Sequence, residues 1–244
     1  RSVGNHGAEI ELVGWRCERA GDTHGHGDAL EIGEIAPTLT LNKIVVNDNG
    51  GTATAGQWTM TAAGPTGFSG PGPSVPNGAS FDAGTYTLSE SGGPAGYTAS
   101  AWVCVGGAQN GGQVTLALGQ NATCTITNDD VAPTLTLAKT VTNNNGGAKL
   151  VSDFPLFING TPAVSGTAYT QTANLQLTAT ETAQTGYTAS AWGGDCAANG
   201  TITLLPGDNK TCTITNDDVA PTLTLVKTVT NNNGGAKLVS DFPL

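Results

Sequence analysis

Lys43, Lys139 and Lys227 each occupy a position where an amine is costly. Leu39, Leu41, Lys43 and Val45 alternate with polar residues, and the pattern returns as Leu135, Leu137, Lys139, Val141 and as Leu223, Leu225, Lys227, Val229. Successive side chains of a strand point to opposite faces, so each lysine falls on the leucine face. An amine taken out of water needs a partner. Glu90 falls in phase with Tyr86 and Leu88, and Glu181 with Leu175, Leu177 and Ala179. Asn128 falls in phase with Cys124 and Ile126, and Asn216 with Cys212 and Ile214. Between Pro37 and Ala132, Lys43 is the only basic residue.

An inward lysine, glutamate and asparagine admit two chemistries. One is a buried ion pair with a hydrogen-bonded amide. The other is covalent. Burial favours the neutral forms of both an amine and a carboxylic acid. The neutral amine is then a nucleophile, and the acid polarises the asparagine amide and carries protons as ammonia leaves. The product would be an isopeptide bond from Lys43 to Asn128 beside Glu90, and from Lys139 to Asn216 beside Glu181. Lys227 is expected to find its partner outside this stretch of sequence.

The elements that must position these residues repeat. The run Pro133-Thr-Leu-Thr-Leu-Ala-Lys139-Thr-Val-Thr-Asn-Asn-Asn-Gly-Gly147 has relatives beginning at Pro37 and at Pro221. Each copy alternates as a half-buried strand does, then breaks into Asn and Gly that turn the chain. Later in each unit come Gly-Tyr-Thr-Ala-Ser-Ala-Trp (96–102 and 186–192) and Cys-Thr-Ile-Thr-Asn-Asp-Asp (124–130 and 212–218). The spacing gives 1–36 as a degenerate N-terminal segment, 37–132 and 133–220 as full units, and 221–244 as the incomplete start of a third. Residues 1–36 read as the end of a preceding unit or as a donor segment. Units of this length with seven or so short strands, frequent turns and no helical period predict antiparallel β-sandwiches.

Four of the five cysteines fall at matching repeat positions. Pairing Cys104 with Cys124 and Cys196 with Cys212 ties the strand after each tryptophan to the last strand of its unit; free buried thiols are the alternative. Disulfides imply an oxidising, extracytoplasmic compartment. The oxygen-rich runs 47–51, 128–130 and 216–218 suit Ca²⁺ or plain turn chemistry equally. His24, His26, Cys17 and Asp28 suit a transition metal or a Gly-rich segment. Trp58, Trp102 and Trp192 with Tyr97 and Tyr187 are expected in the core, with a sugar platform as the other use.

A net charge of −10 without Lys/Arg clusters excludes binding to nucleic-acid backbones. No apolar run reaches the ~20 residues of a membrane span. The full units contain no histidine, which removes the usual base for nucleophilic catalysis and argues against an enzyme. With neither an initiator Met nor a signal peptide, the sequence reads as a mature or trimmed piece.

The strand-borne lysine, the Tyr-Thr-Leu-x-Glu…Gly-Tyr signature and the terminal Ile-Thr-Asn resemble collagen-adhesin B-type, prealbumin-like (SpaA-type) β-sandwich repeats of bacterial surface proteins and pilins. The resemblance covers 37–220 fully and 221–244 in part. It implies all-β, tandem Ig-like or prealbumin-like sandwiches in an elongated array on the cell surface. It also implies a stalk role stiffened by autocatalytic bonds among Lys43, Glu90 and Asn128, and among Lys139, Glu181 and Asn216. The expected partners are head-to-tail copies of the same chain or a longer array. An adhesive module for carbohydrate or protein is the competing class. The paired cysteines and the lack of a Leu-Pro-x-Thr-Gly signal depart from the family pattern.

Overall fold

A computed structural model describes residues 15–18 and 31–244. Trp15–Glu18 and Glu31–Glu34 pair as a two-stranded antiparallel ladder. The remainder of 1–30, with His6, His24, His26 and Asp28, and the side chain of Cys17 lie outside the described residues, so the metal and donor-segment expectations fall there too. Strands dominate the rest, interrupted by three short 3₁₀ turns, Ala55–Gln57, Val151–Asp153 and Val239–Asp241. The chain divides into two compact units, the first mainly the residues up to Leu135, the second mainly Thr136–Tyr169, Leu177–Ile202 and Thr211–Leu244.

The first sandwich closes two five-stranded sheets over one core. One sheet orders Ser74–Pro76, the lysine strand Thr38–Val46, the asparagine strand Asn121–Asp130 and Tyr97–Ala99, with Val103–Val105 also on the asparagine strand. The other orders Ala108–Asn110, Gln113–Leu116, the glutamate strand Gly84–Gly92, Trp58–Ala63 and Phe68–Pro71. Leu39, Leu41, Met60, Tyr86, Leu88, Val114, Leu116, Cys124 and Ile126 fill the space between them. Truncating one such leucine to alanine costs on the order of 2–5 kcal/mol.

One pairing departs from the antiparallel expectation. The lysine and asparagine strands run parallel, in register from Thr38 with Asn121 to Val46 with Asp129. A parallel pair needs a long crossover, and the whole rest of the sandwich supplies it. The first and last strands therefore lie side by side, which alternation within each strand could not reveal.

The second sandwich repeats the plan with its own lysine strand (Thr134–Thr142), glutamate strand (Gln176–Glu181) and asparagine strand (Asn209–Asp218). Its lysine and asparagine strands are again neighbours, between Ala168–Thr170 and Tyr187–Ala189. Its second sheet orders Thr161–Ala163, Leu156–Ile158, Gln176–Glu181 and Thr201–Thr203. Asn159 and Gly160 both take positive φ, as a two-residue turn matching strand twist requires. The strands are shorter and more numerous than expected, ten over 38–130 and nine over 134–218.

One expectation fails. Leu175 precedes the glutamate strand and is exposed, so it does not share the inward face of Leu177, Ala179 and Glu181. The third copy, expected as an incomplete start that cannot stand alone, forms no strand among the described residues, and Leu223 and Leu225 are exposed. Alternation makes a segment fit to be a strand; a hydrogen-bonded neighbour makes it one, and 222–230 has none among the described residues.

Candidate cross-linking sites

Each sandwich brings its lysine, glutamate and asparagine to one point. In the first, Lys43 Nζ lies 2.5 Å from Glu90 Oε2 and 2.5 Å from Asn128 Oδ1. In the second, Lys139 Nζ lies 2.5 Å from Glu181 Oε2 and 2.5 Å from Asn216 Oδ1. The lysine side chains are fully buried, and those of Glu90 and Glu181 are 13% and 8% exposed. The strands explain this meeting. Lysine and asparagine come from adjacent strands of one sheet, and the glutamate reaches across the core from the other.

Burial pulls both lysines below the ordinary amine value, against the opposing hydrogen bond and charge of Glu90 and of Glu181. An aromatic ring closes the remaining side. Lys43 Nζ sits 4.8 Å from the centre of the Trp58 ring, and Lys139 Nζ 4.6 Å from that of Phe154. Both rings follow directly on a 3₁₀ turn, fifteen residues after their lysine. Lys227 stands in the same relation to Phe242, at 4.8 Å. No glutamate or asparagine meets it among the described residues. A ring over a charged amine attracts it, and also excludes water from it.

Around this centre lies a polar layer that sequence reading missed. The Tyr97 hydroxyl donates to Asn47 Oδ1 at 2.5 Å and accepts the Ala53 N–H at 3.1 Å, while its ring meets Trp58 edge-on. Tyr187 repeats this with Asn143, the Lys149 N–H and Phe154. Asp130 and Asp218 are buried on the last strand, and their carboxylates accept backbone N–H groups from the Asn/Gly turn. Burial pushes both carboxyls up, but the hydrogen bonds from Gly51 and Asn49, and from Gly147, Asn145 and Asn144, outweigh it and hold both below the usual range. The alternation Cys124, Ile126, Asn128, Asp130 carried the signal for their burial. Carboxylate oxygens of Asp48, Asp129 and Asp130 lie within 4.8 Å of one another, but both oxygens of Asp130 already accept N–H groups.

The structure joins Cys104 to Cys124 and Cys196 to Cys212. Both bonds anchor the asparagine strand, four residues before its asparagine. Trp58 and Trp102 are buried with the core, as expected, and Trp192 is half-buried.

Fold and site together define tandem all-β sandwiches with a buried lysine, glutamate and asparagine in each. The chain belongs to the family described as the prealbumin-like fold domain, whose profile matches residues 34–126 and again 130–214. No curated protein matches it. Among solved structures it is similar to the major pilin protein T-13 of Streptococcus pyogenes, at 14% identity and TM-score 0.35, covering 75% of this chain and 97% of that one. It is similar to the Bacillus anthracis TIE protein at 16% identity and TM-score 0.44, covering 80% of this chain and 36% of the other. It is also similar to a C-terminal fragment of the pilus adhesin SpaC of Lactobacillus rhamnosus GG, at 14% identity and TM-score 0.33, covering 76% and 99%. No helix among the described residues is long and apolar enough to cross a membrane.

Proposed function

We propose that the chain is a stalk segment of a bacterial extracellular fibre, pilus-like filament or adhesin, with each sandwich stiffened by its own Lys–Asn isopeptide bond. The observation that carries this is the contact of one buried amine with a carboxylate and an amide oxygen at 2.5 Å, made in both sandwiches. Proton transfer across the Lys–Glu contact turns an ion pair into a neutral amine and an acid. The amine attacks Cγ of the asparagine, and the acid gives its proton to the departing Nδ2. The Nζ–Cγ bond forms, the Cγ–Nδ2 bond breaks, ammonia leaves, and the new amide nitrogen returns a proton to the glutamate.

The topology suits a load-bearing part. Tension on the two ends of a sandwich enters its first strand and leaves by its last. In the first sandwich these strands are parallel neighbours, so force shears all their hydrogen bonds together, and a bond from Lys43 to Asn128 would relieve everything between. Buried aromatics such as Trp58, Trp102, Tyr86 and Phe154 favour this reading over an adhesive surface built on exposed rings. Lys227 and the alternating sequence around it correspond to the lysine strand of a further sandwich, formed by more of the same array or by another copy. Head-to-tail contacts of that kind extend without closing.

Intact mass tests the covalent reading. The chain should lack two ammonias beyond the hydrogens lost to disulfides, and Glu90→Ala should restore one. A mass lacking no ammonia leaves the buried ion pair in its place.

A further inference from the structure

The aspartates two places beyond the asparagines touch neither lysine nor glutamate, yet they are almost fully buried, Asp130 at 3% and Asp218 at 5% exposure. Each faces the turn that follows the lysine strand. Asp130 accepts the Asn49 N–H at 3.0 and 3.1 Å and the Gly51 N–H at 2.6 Å, and Asn49 Nδ2 donates to the Asp130 backbone oxygen at 2.9 Å. Asp218 accepts the N–H groups of Asn144 at 2.9 Å, Asn145 at 2.9 and 3.0 Å and Gly147 at 2.6 Å. The seat is tight. A Cβ on Gly51 would run first into the Tyr97 hydroxyl and then come 2.7 Å from Asp130 Oδ2 and 2.9 Å from Asn47 Oδ1, and one on Gly147 would run into the Tyr187 hydroxyl and meet Asp218 Cβ at 2.8 Å and Asn143 Oδ1 at 2.9 Å.

We propose that Asp130 and Asp218 are positioning residues that lock the register of the lysine strand against the asparagine strand and so select which side chain the lysine meets. The proposal rests on the covalent reading above. A strand that slips by one residue turns its apolar face outward, and the core forbids it. A slip by two keeps every face. It would bring Asp130 to the place of Asn128, beside Val45 and within reach of the Lys43 amine, and Asp218 to the place of Asn216, within reach of Lys139. An ionised carboxylate there pairs with the lysine and resists attack by an amine, so the slipped pair is a dead end. The turn amides close this route. They hold the carboxylate beyond the lysine's reach, and only one register seats it.

Asp130→Asn in the full chain tests this, because it places a second amide where a slipped strand would offer it. Peptide mapping after proteolysis reads three products: Lys43 joined to Asn128, Lys43 joined to position 130, and no bond. Thiol labelling of Cys104 and Cys124 reports on the same samples whether the strand has folded. Charged hydrogen bonds of this kind set register populations by about tenfold or more. The 43–128 product should therefore fall by about that factor relative to the other two, with 43–130 appearing while the disulfide still forms. The second sandwich, unaltered, should keep its bond. Asp130→Ala should lower the 43–128 product without any 43–130 product. Unchanged 43–128 yield and rate in both variants overturns the proposal. So does loss of the disulfide together with the bond, which makes Asp130 a general folding residue. A wild-type chain lacking no ammonia refutes the covalent reading instead. The lock is then read by amide exchange over 38–46, which Asp130→Asn should speed about tenfold; unchanged exchange overturns it.

Discussion

Asn128→Ala isolates the contribution of the proposed covalent bond, because it deletes the acceptor and leaves the Lys43–Glu90 ion pair in place. The bond would close a loop between residues 85 apart. Removing that loop from the unfolded ensemble stabilises the fold by about 4.5 kcal/mol in the chain-entropy model. The Cys104–Cys124 disulfide lies inside the loop and spans 20 residues of it. It shortens the effective path to roughly 65 residues, which lowers the figure by only a few tenths of a kcal/mol. Losing the amide's hydrogen bond adds about 1 kcal/mol. For a domain of this size, each kcal/mol moves the midpoint by about 4–8 °C. Calorimetry of the oxidised full chain should therefore show one transition falling by roughly 20–45 °C and the second sandwich holding its place. Glu90→Ala should fall further, by about 3–5 kcal/mol, since it also strands a buried ammonium. A drop of only about 1 kcal/mol for Asn128→Ala would show that no bond had been there to lose.

The disulfides should each contribute about 3 kcal/mol through loops of 20 and 16 residues, so Cys124→Ser should lower the first transition alone, while Cys212→Ser should lower the second. Thiol labelling of the unfolded, unreduced protein should find one reactive cysteine, Cys17, and five would overturn the oxidised assignment. Asp130 and Asp218 are held below the ordinary carboxyl value, so their contribution is complete above about pH 4 and is lost as pH falls through the lower folded values. Melting curves of Asn128→Ala from neutral to acid pH should show this decline, and adding Asp130→Asn should flatten it for the first sandwich. Gly51→Ala should lower cross-linking of the first sandwich by crowding the Tyr97 hydroxyl and the aspartate's seat together, read by intact mass as a fraction keeping its ammonia.

Much of the site was legible because strand geometry is a parity rule. Lys43, Glu90 and Asn128 each broke an apolar face, and three such breaks per unit announced one another. Cys104 and Cys124 were legible through the repeat. Asp130 obeyed the same parity but was hidden by its company, since Asn-Asp-Asp reads equally as an exposed turn. Trp58 and Phe154 were hidden for another reason. They reach the lysine through a turn and a 3₁₀ segment, where no simple period applies, and only their equal spacing from Lys43 and Lys139 marks them. Leu175 misled because alternation continues past the point where the strand begins. The parallel pairing of first and last strands is set by the whole sandwich, and no local pattern encodes it.

The two sandwiches also bear on why the polar trio is there at all. A buried ion pair is poor evidence of stabilisation, because apolar residues of similar volume often serve as well or better. A trio kept only for stability would therefore be among the easier features to lose. Much around it has changed between the two units. Trp58 became Phe154, the Val103–Val105 strand became Gly193–Gly194, and the separation of lysine from asparagine went from 85 to 77 residues. Yet lysine, glutamate and asparagine meet at the same distances in both, each under a ring, each with an aspartate seated two residues further on. Neutral packing would tolerate drift in such a group. A reaction that needs an amine, an amide and a proton carrier at one point would not, and the proposed cross-link would make that demand of the whole set.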